Sequence, residues 1–151
     1  MFKSIGIAAT LAVMGATPVL AQSWEAVSSN ESAVAAVDWS SIDINGSRRE
    51  VTFAMVSLQA GAVPFDYAVS TNDMDCSQLR YATLRSKFYD RRGQTVVEDF
   101  VGDGSWTALA ERTIMGDVRR EVCVSDSSRA GVFNSAQQFA TRAWQVASQS
   151  Q

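Results

Sequence analysis

From Trp24 onwards, apolar residues alternate with polar ones in short runs bounded by turn residues. Only the end of the chain repeats them at helical spacing. Trp24-Glu25-Ala26-Val27 reads as an opening strand, followed by a polar turn over residues 28–32. The stretch Ala35 to Ile44, with Val37, Trp39 and Ile42 apolar, predicts a second strand. Asn45-Gly46 then gives a hairpin signal, because both residue types tolerate positive φ. The returning strand, Glu50 to Leu58, sets Val51, Phe53 and Met55 on one face and a fairly apolar set (Ala54, Val56, Leu58) on the other, as a central strand does. Residues 61–71 predict a loop with a weak strand around Phe65 to Val69. A second hairpin runs from Leu79 to Tyr89, turns over Asp90-Arg91-Arg92-Gly93, and returns from Thr95 to Val101. Residues 102–105 read as a loop, and 108–124 fit either one helix or a short helix with a strand. At the end, Ser135-Ala136-Gln137-Gln138 matches a capping box. Ala136, Phe139, Ala140, Ala143 and Ala147 recur behind it at three- and four-residue spacing, a helix with one apolar stripe. Strands first and a helix last predict an α+β fold: an antiparallel sheet of about five to six strands with the C-terminal helix packed on one face.

Ahead of these elements stands a run of a different kind. Lys3 is followed by an uncharged, mostly apolar segment, Ile5 to Ala16, then Pro18 and the small-residue tail Val19-Leu20-Ala21. This is the order of a cleavable secretory signal. The run is too short, and too interrupted by glycine and proline, for a membrane span of roughly 20 residues. Residues 1–21 are therefore expected to be removed, leaving 22–151 as a single domain with no membrane span. Gln22 stands at the cut where lipid attachment would need cysteine.

Composition narrows the chemistry. The chain has 151 residues and a net charge of −3, and loss of Lys3 with the signal makes the domain slightly more acidic. An acidic chain has no general attraction to nucleic acid. There is no histidine, which removes serine–histidine and cysteine–histidine catalysis and histidine-ligated metals. Of the 13 basic residues only Lys3 and Lys87 are lysines. Arginine suits planar contacts with carboxylates and aromatic faces, although base composition alone also favours it. The two cysteines, Cys76 and Cys123, read as a disulfide in an exported chain, with two free thiols as the rival reading.

No catalytic motif stands out. Glu98 and Asp99 are neighbours on a strand and point to opposite faces. Asp73 and Asp75 could meet calcium but lack further oxygen ligands at loop spacing, so a polar turn is the better reading. Gly102 to Ser105 has neither the nucleophile-elbow order nor a P-loop lysine. Arg48-Arg49 and Arg91-Arg92 sit at hairpin turns, where neighbouring tips could form one basic edge for an acidic partner; solvation of exposed turns explains them equally simply. Arg119-Arg120 is a third such pair.

The order of these features resembles the surface-adhesin protein E family. The residues that carry the resemblance are Trp24, Asp38-Trp39-Ser40-Ser41-Ile42, Gly46 with Arg48 and Val51, Asp75-Cys76, Tyr89-Asp90 with Gly93, Trp106, and Val122-Cys123. The resemblance implies an antiparallel sheet with a helix against it and a disulfide joining the two. For its best-known members it also implies lipid anchoring and binding to host extracellular-matrix proteins. Together these readings predict an exported, non-enzymatic, adhesin-like domain that binds an extracellular or envelope protein, with Arg48, Arg49, Arg91 and Arg92 as candidate contacts. The periplasm is the expected destination, and the cell surface or the medium are the alternatives. The alternative function is a periplasmic carrier of a small ligand or lipid. An enzyme would have to work with carboxylates, Lys87 or tyrosine alone. No cofactor is expected.

Overall fold

The computed structural model of the chain describes residues 21–124 and 129–150. The expected signal segment, Ala21 apart, lies outside the described residues. Six strands form a simple antiparallel meander: β1 Trp24–Ser29, β2 Ala33–Asn45, β3 Arg48–Ser57, β4 Tyr67–Asp75, β5 Arg80–Tyr89 and β6 Thr95–Val101, each hydrogen-bonded to the next. A two-residue strand β7, Thr107–Ala108, pairs with the start of β5. Helices α1, Ile114–Val124, and α2, Ala136–Gln149, follow.

The sheet carries a helix on each face, where the sequence predicted one covered face. Alternation sorts the β-residues accordingly. Ala35, Val37, Trp39, Val51, Phe53 and Met74 pack against Val118 and Val122 of α1. Trp24, Ala36, Ala54, Val56 and Tyr67 pack against Ala136, Phe139 and Ala140 of α2. β3 is therefore buried on both sides, as its two apolar faces predicted. The ambiguity over 108–124 resolves into β7 and a helix, and α1 supplies the second cover.

Local signals account for most boundaries. In the first hairpin Asn45 is the last residue of β2, paired with Arg48, so the two-residue loop is Gly46-Ser47. Only Gly46 takes positive φ (60°), which places glycine first in the loop as a type II′ turn requires. Ser135 caps α2, its Oγ accepting from the Gln138 backbone N–H at 3.1 Å, while Gln138 Oε1 accepts from Asn134 N–H, one residue ahead of the expected reciprocal bond.

The main departure is β4. Its sequence, YAVSTNDMD, is polar in its second half, and only Phe65 to Val69 was legible as a strand. In the fold it lies in the middle of the sheet, and Thr71, Asn72, Asp73 and Asp75 are buried. Asp73 and Asp75 therefore belong to a central strand, which corrects their reading as a polar turn. Cross-strand partners make the burial tolerable: Thr52 meets Thr71 (3.1 Å), Thr83 Oγ1 donates to Asn72 Oδ1 (2.8 Å), and Arg48 pairs with Asp73.

The free edge is irregular. Among the described residues no strand pairs with the outer side of β6. The β5–β6 register shifts twice, and Glu98 and Asp99 add charge there, devices that discourage edge-to-edge aggregation. Gly102, just beyond β6, passes so close to β5 that a Cβ would stand 1.7 Å from the Thr83 carbonyl oxygen.

Candidate interaction surface

The meander fixes which turns share an end of the sheet. The β2–β3 and β4–β5 turns lie together at one end, because Arg48 pairs with Asp75 and Asp75 with Arg80. The β5–β6 turn, with Arg91 and Arg92, lies at the other, beside Tyr67 and Tyr89. The length of β4 separates the two ends by roughly 26 Å. The two arginine tips thus do not form one basic edge, and each finds partners at its own end.

At the first end Arg48, Asp75 and Arg80 form a row across three adjacent strands. Arg48 also pairs with Asp73, and Arg80 Nε donates to Asp75 Oδ2 at 2.9 Å. Both guanidinium groups lie over the Trp106 ring, at 5.1 and 4.6 Å from its centroid. Ile44, Leu79 and the Arg48 side chain are about half exposed around this cluster. The second member of the pair, Arg49, bends back onto the Gly46 and Arg48 carbonyl oxygens.

The end is braced from beneath. Asp75 Oδ1 accepts from Ser77 N–H and Oγ and from Gln78 N–H, closing the β4–β5 turn. Arg119 of α1 donates to the Asp75 and Cys76 carbonyl oxygens at 2.9 and 2.8 Å. Cys76 is joined to Cys123, in the last turn of α1. The disulfide read from the sequence therefore ties the sheet to a helix.

Four further arginines are similarly occupied. Arg91 pairs with Asp66 and lies over Trp144, Arg92 pairs with Asp90, and Arg120 pairs with Asp117. Arg129 bonds Glu25 and Glu121 and lies over Trp39. Three of the tryptophans thus carry an arginine on the ring, the stacking for which arginine is suited. Among the described residues no three acidic or cysteine side chains group as a metal cage would need.

The sequence profile of the surface-adhesin protein E family matches residues 24–124. The chain belongs to the surface-adhesin protein E family. The match takes in all seven strands, α1 and both cysteines, and stops short of α2. No curated protein and no solved structure matches the chain. Membership associates this adhesin-family domain with exported or cell-surface proteins, and no helix among the described residues is long and apolar enough to cross a membrane.

Of the contacts expected from sequence, Arg48 and Arg49 sit at the Trp106 end of the adhesin-family sheet, and Arg91 and Arg92 sit at the opposite end. Arg80, Asp73 and Asp75, which complete the cluster, were not singled out with them. The missing signal was the β4 register: a strand ending at Asp75 puts that carboxylate beside both arginines.

The same carboxylate is expected to make the domain acid-sensitive. Hydrogen bonds from Ser77, followed by the Arg80 contact, hold the Asp75 pKa down from 3.8 to about 2. A depressed carboxylate contributes stability above its unfolded pKa and loses it as pH falls through the folded value. The urea midpoint is expected to drop between about pH 4 and pH 2. In Asp75→Asn that drop should be smaller, from a lower starting midpoint. An unchanged slope of midpoint against pH in the variant would show that Asp75 contributes nothing there.

Proposed function

We propose that this chain is an exported, non-enzymatic interaction domain that binds an extracellular protein partner through the Trp106 end of its sheet. The observation that carries the reading is the cluster of Arg48, Arg80 and Trp106, flanked by half-exposed Ile44 and Leu79, on a rim held rigid by the disulfide. Tryptophan and arginine dominate protein-binding hot spots because they combine large contact area with directional hydrogen bonding and lose little entropy when already held. Family membership supports the adhesin-like role. The acidic residues support no catalytic assignment: Asp73 and Asp75 are engaged by arginines and turn donors, and Glu98 and Asp99 lie on the exposed edge strand.

The test is binding of the purified protein to a panel of immobilised extracellular-matrix proteins. Trp106→Ala is expected to weaken a saturable interaction about 30-fold, the scale of a hot-spot truncation. Arg92→Ala, at the far end, should change it less than twofold. Protease digestion of the protein on intact cells would place it at the surface as the reading requires. Equal binding by wild type and Trp106→Ala, with the melting temperature unchanged, would remove the Trp106 end from the interface.

A further inference from the structure

The structure holds a second, unrelated feature on α2, beyond the stretch that the family shares. Two hollows meet along this helix. One, of about 330 Å³, is a mostly apolar cleft between α2 and the β1–β2 end of the sheet, with Val34, Leu58, Phe139, Ala143 and Val146 in its walls and Ser29 and Asn30 at the β1–β2 turn. Its volume lies at the lower end of the range of small-molecule sites. The other, of about 560 Å³, is a polar basin floored by Ser135, Gln138, Thr141 and Gln145. Phe133 and Arg142 line both.

Arg142 is the only charged side chain among the described residues lining either hollow. It contrasts with the arginines of the Trp106 end, the β5–β6 turn and α1, which are committed to carboxylates, carbonyl oxygens or tryptophan rings. Arg142 has no hydrogen bond, ion pair or ring contact among the described residues. The side chains of Thr141 and Gln145 beside it have no hydrogen-bond partner there either. Val146, in the apolar wall, is about half exposed.

We infer that this double hollow binds a free single-chain amphiphile with an anionic head, of the fatty-acid type. The alkyl chain lies in the cleft against Ala143 and Val146, removing apolar surface from water. The carboxylate lies in the basin, where Arg142 presents a planar, two-pronged donor and Thr141 and Gln145 supply further hydrogen bonds. A neutral or cationic amphiphile would leave Arg142 uncompensated or repelled, so charge complementarity selects the head group. The chain supplies most of the affinity, and the head group sets the selectivity.

The test is calorimetric titration of the purified full-length product with monomeric dodecanoate, dodecanol and dodecyltrimethylammonium, with co-sedimentation on anionic phospholipid vesicles as a separate arm. Dodecanoate is expected to bind saturably at one site per chain and more tightly than the other two. Arg142→Gln, at an exposed position, should keep the wild-type melting temperature, weaken dodecanoate about fivefold and leave dodecanol unchanged, the scale of a partly exposed ion pair. Ala143→Phe, which fills the cleft, should abolish binding of both. Should Ala143→Phe fail to fold, the Arg142→Gln comparison decides alone. The inference is overturned if the three amphiphiles bind alike, if dodecanoate shows no saturable binding, if Arg142→Gln binds as wild type, if binding occurs only on vesicles, or if the cleft is instead closed by a second copy of the chain at the concentrations used.

Discussion

Replacing both Cys76 and Cys123 with serine is expected to lower the unfolding free energy by about 4 kcal/mol. The two residues are 47 positions apart, and releasing a loop of that length restores to the unfolded chain the conformational freedom the bridge removes. For a domain whose whole stability is of order 5–15 kcal/mol, this is a large share. The location sharpens the expectation. Without the bridge, α1 is held to the β4–β5 turn by the two Arg119 bonds, to β1 by the Ser28–Asp117 hydrogen bond (2.6 Å), and to the sheet face by Val118 and Val122. Amide exchange in α1 should therefore accelerate more than exchange in β2 and β3. Guanidinium unfolding of wild type and double variant, with the exchange measured on both, checks the two parts. A loss below about 1 kcal/mol would mean that the unfolded chain keeps these segments together without the bond.

Trp24→Ala is expected to cost about 3–5 kcal/mol, the range for truncating a fully buried large aromatic. Trp24 is only 1% exposed and packs in the core beneath α2. Its backbone also binds the chain that leads into that helix: Trp24 N–H donates to Phe133 O, and Trp24 O accepts from Val132 and Phe133 N–H. Gly131 approaches so closely that a Cβ there would lie 2.3 Å from the Trp24 carbonyl. One residue thus joins the first strand, the connection between the helices and the seat of α2. A melting temperature lower by roughly 10–15 °C is the expected readout. Val101→Ala, at a position 78% exposed on the free edge, should move it by no more than a degree or two. If Trp24→Ala melted like Val101→Ala, the core assigned beneath α2 would not be carrying the fold.

Where local pattern and tertiary demand agree, the elements follow directly from the residues. β2 and β3 alternate cleanly around a glycine-bearing turn, β5 and β6 do so around Gly93, and α2 has both a cap and an apolar stripe. The chain order also carries the family resemblance, and the two cysteines the expectation of a disulfide that the structure contains. β4 shows the limit. Thr71, Asn72, Asp73 and Asp75 have the composition of a loop, and they sit inside a sheet because β3 and β5 offer a threonine, a second threonine and two arginines at the matching positions. Strand propensity reports how well a side chain fits its cross-strand neighbours, and those neighbours are distant in sequence.

The candidate surface follows the same logic. Adjacent arginines at 48–49 and at 91–92 are visible as pairs, but nothing local states which end of the sheet each pair occupies. An odd number of strands between two turns puts them at opposite ends, and here there are three, so counting strands correctly, β4 included, was required first. Trp106 stands alone in its segment and meets Arg48 and Arg80 only because β7 returns to pair with the start of β5. The amphiphile cleft likewise needs the sheet as its second wall. The α+β class, the main hairpins, the capped terminal helix, the expectation of a disulfide and the family resemblance were all legible in the order of residues. That both faces are covered, that polar β4 is central, and which arginines meet which tryptophans became visible only in the folded chain. Periodicity and capping act within a few residues, whereas burial of a polar strand and the meeting of turns depend on partners many residues away.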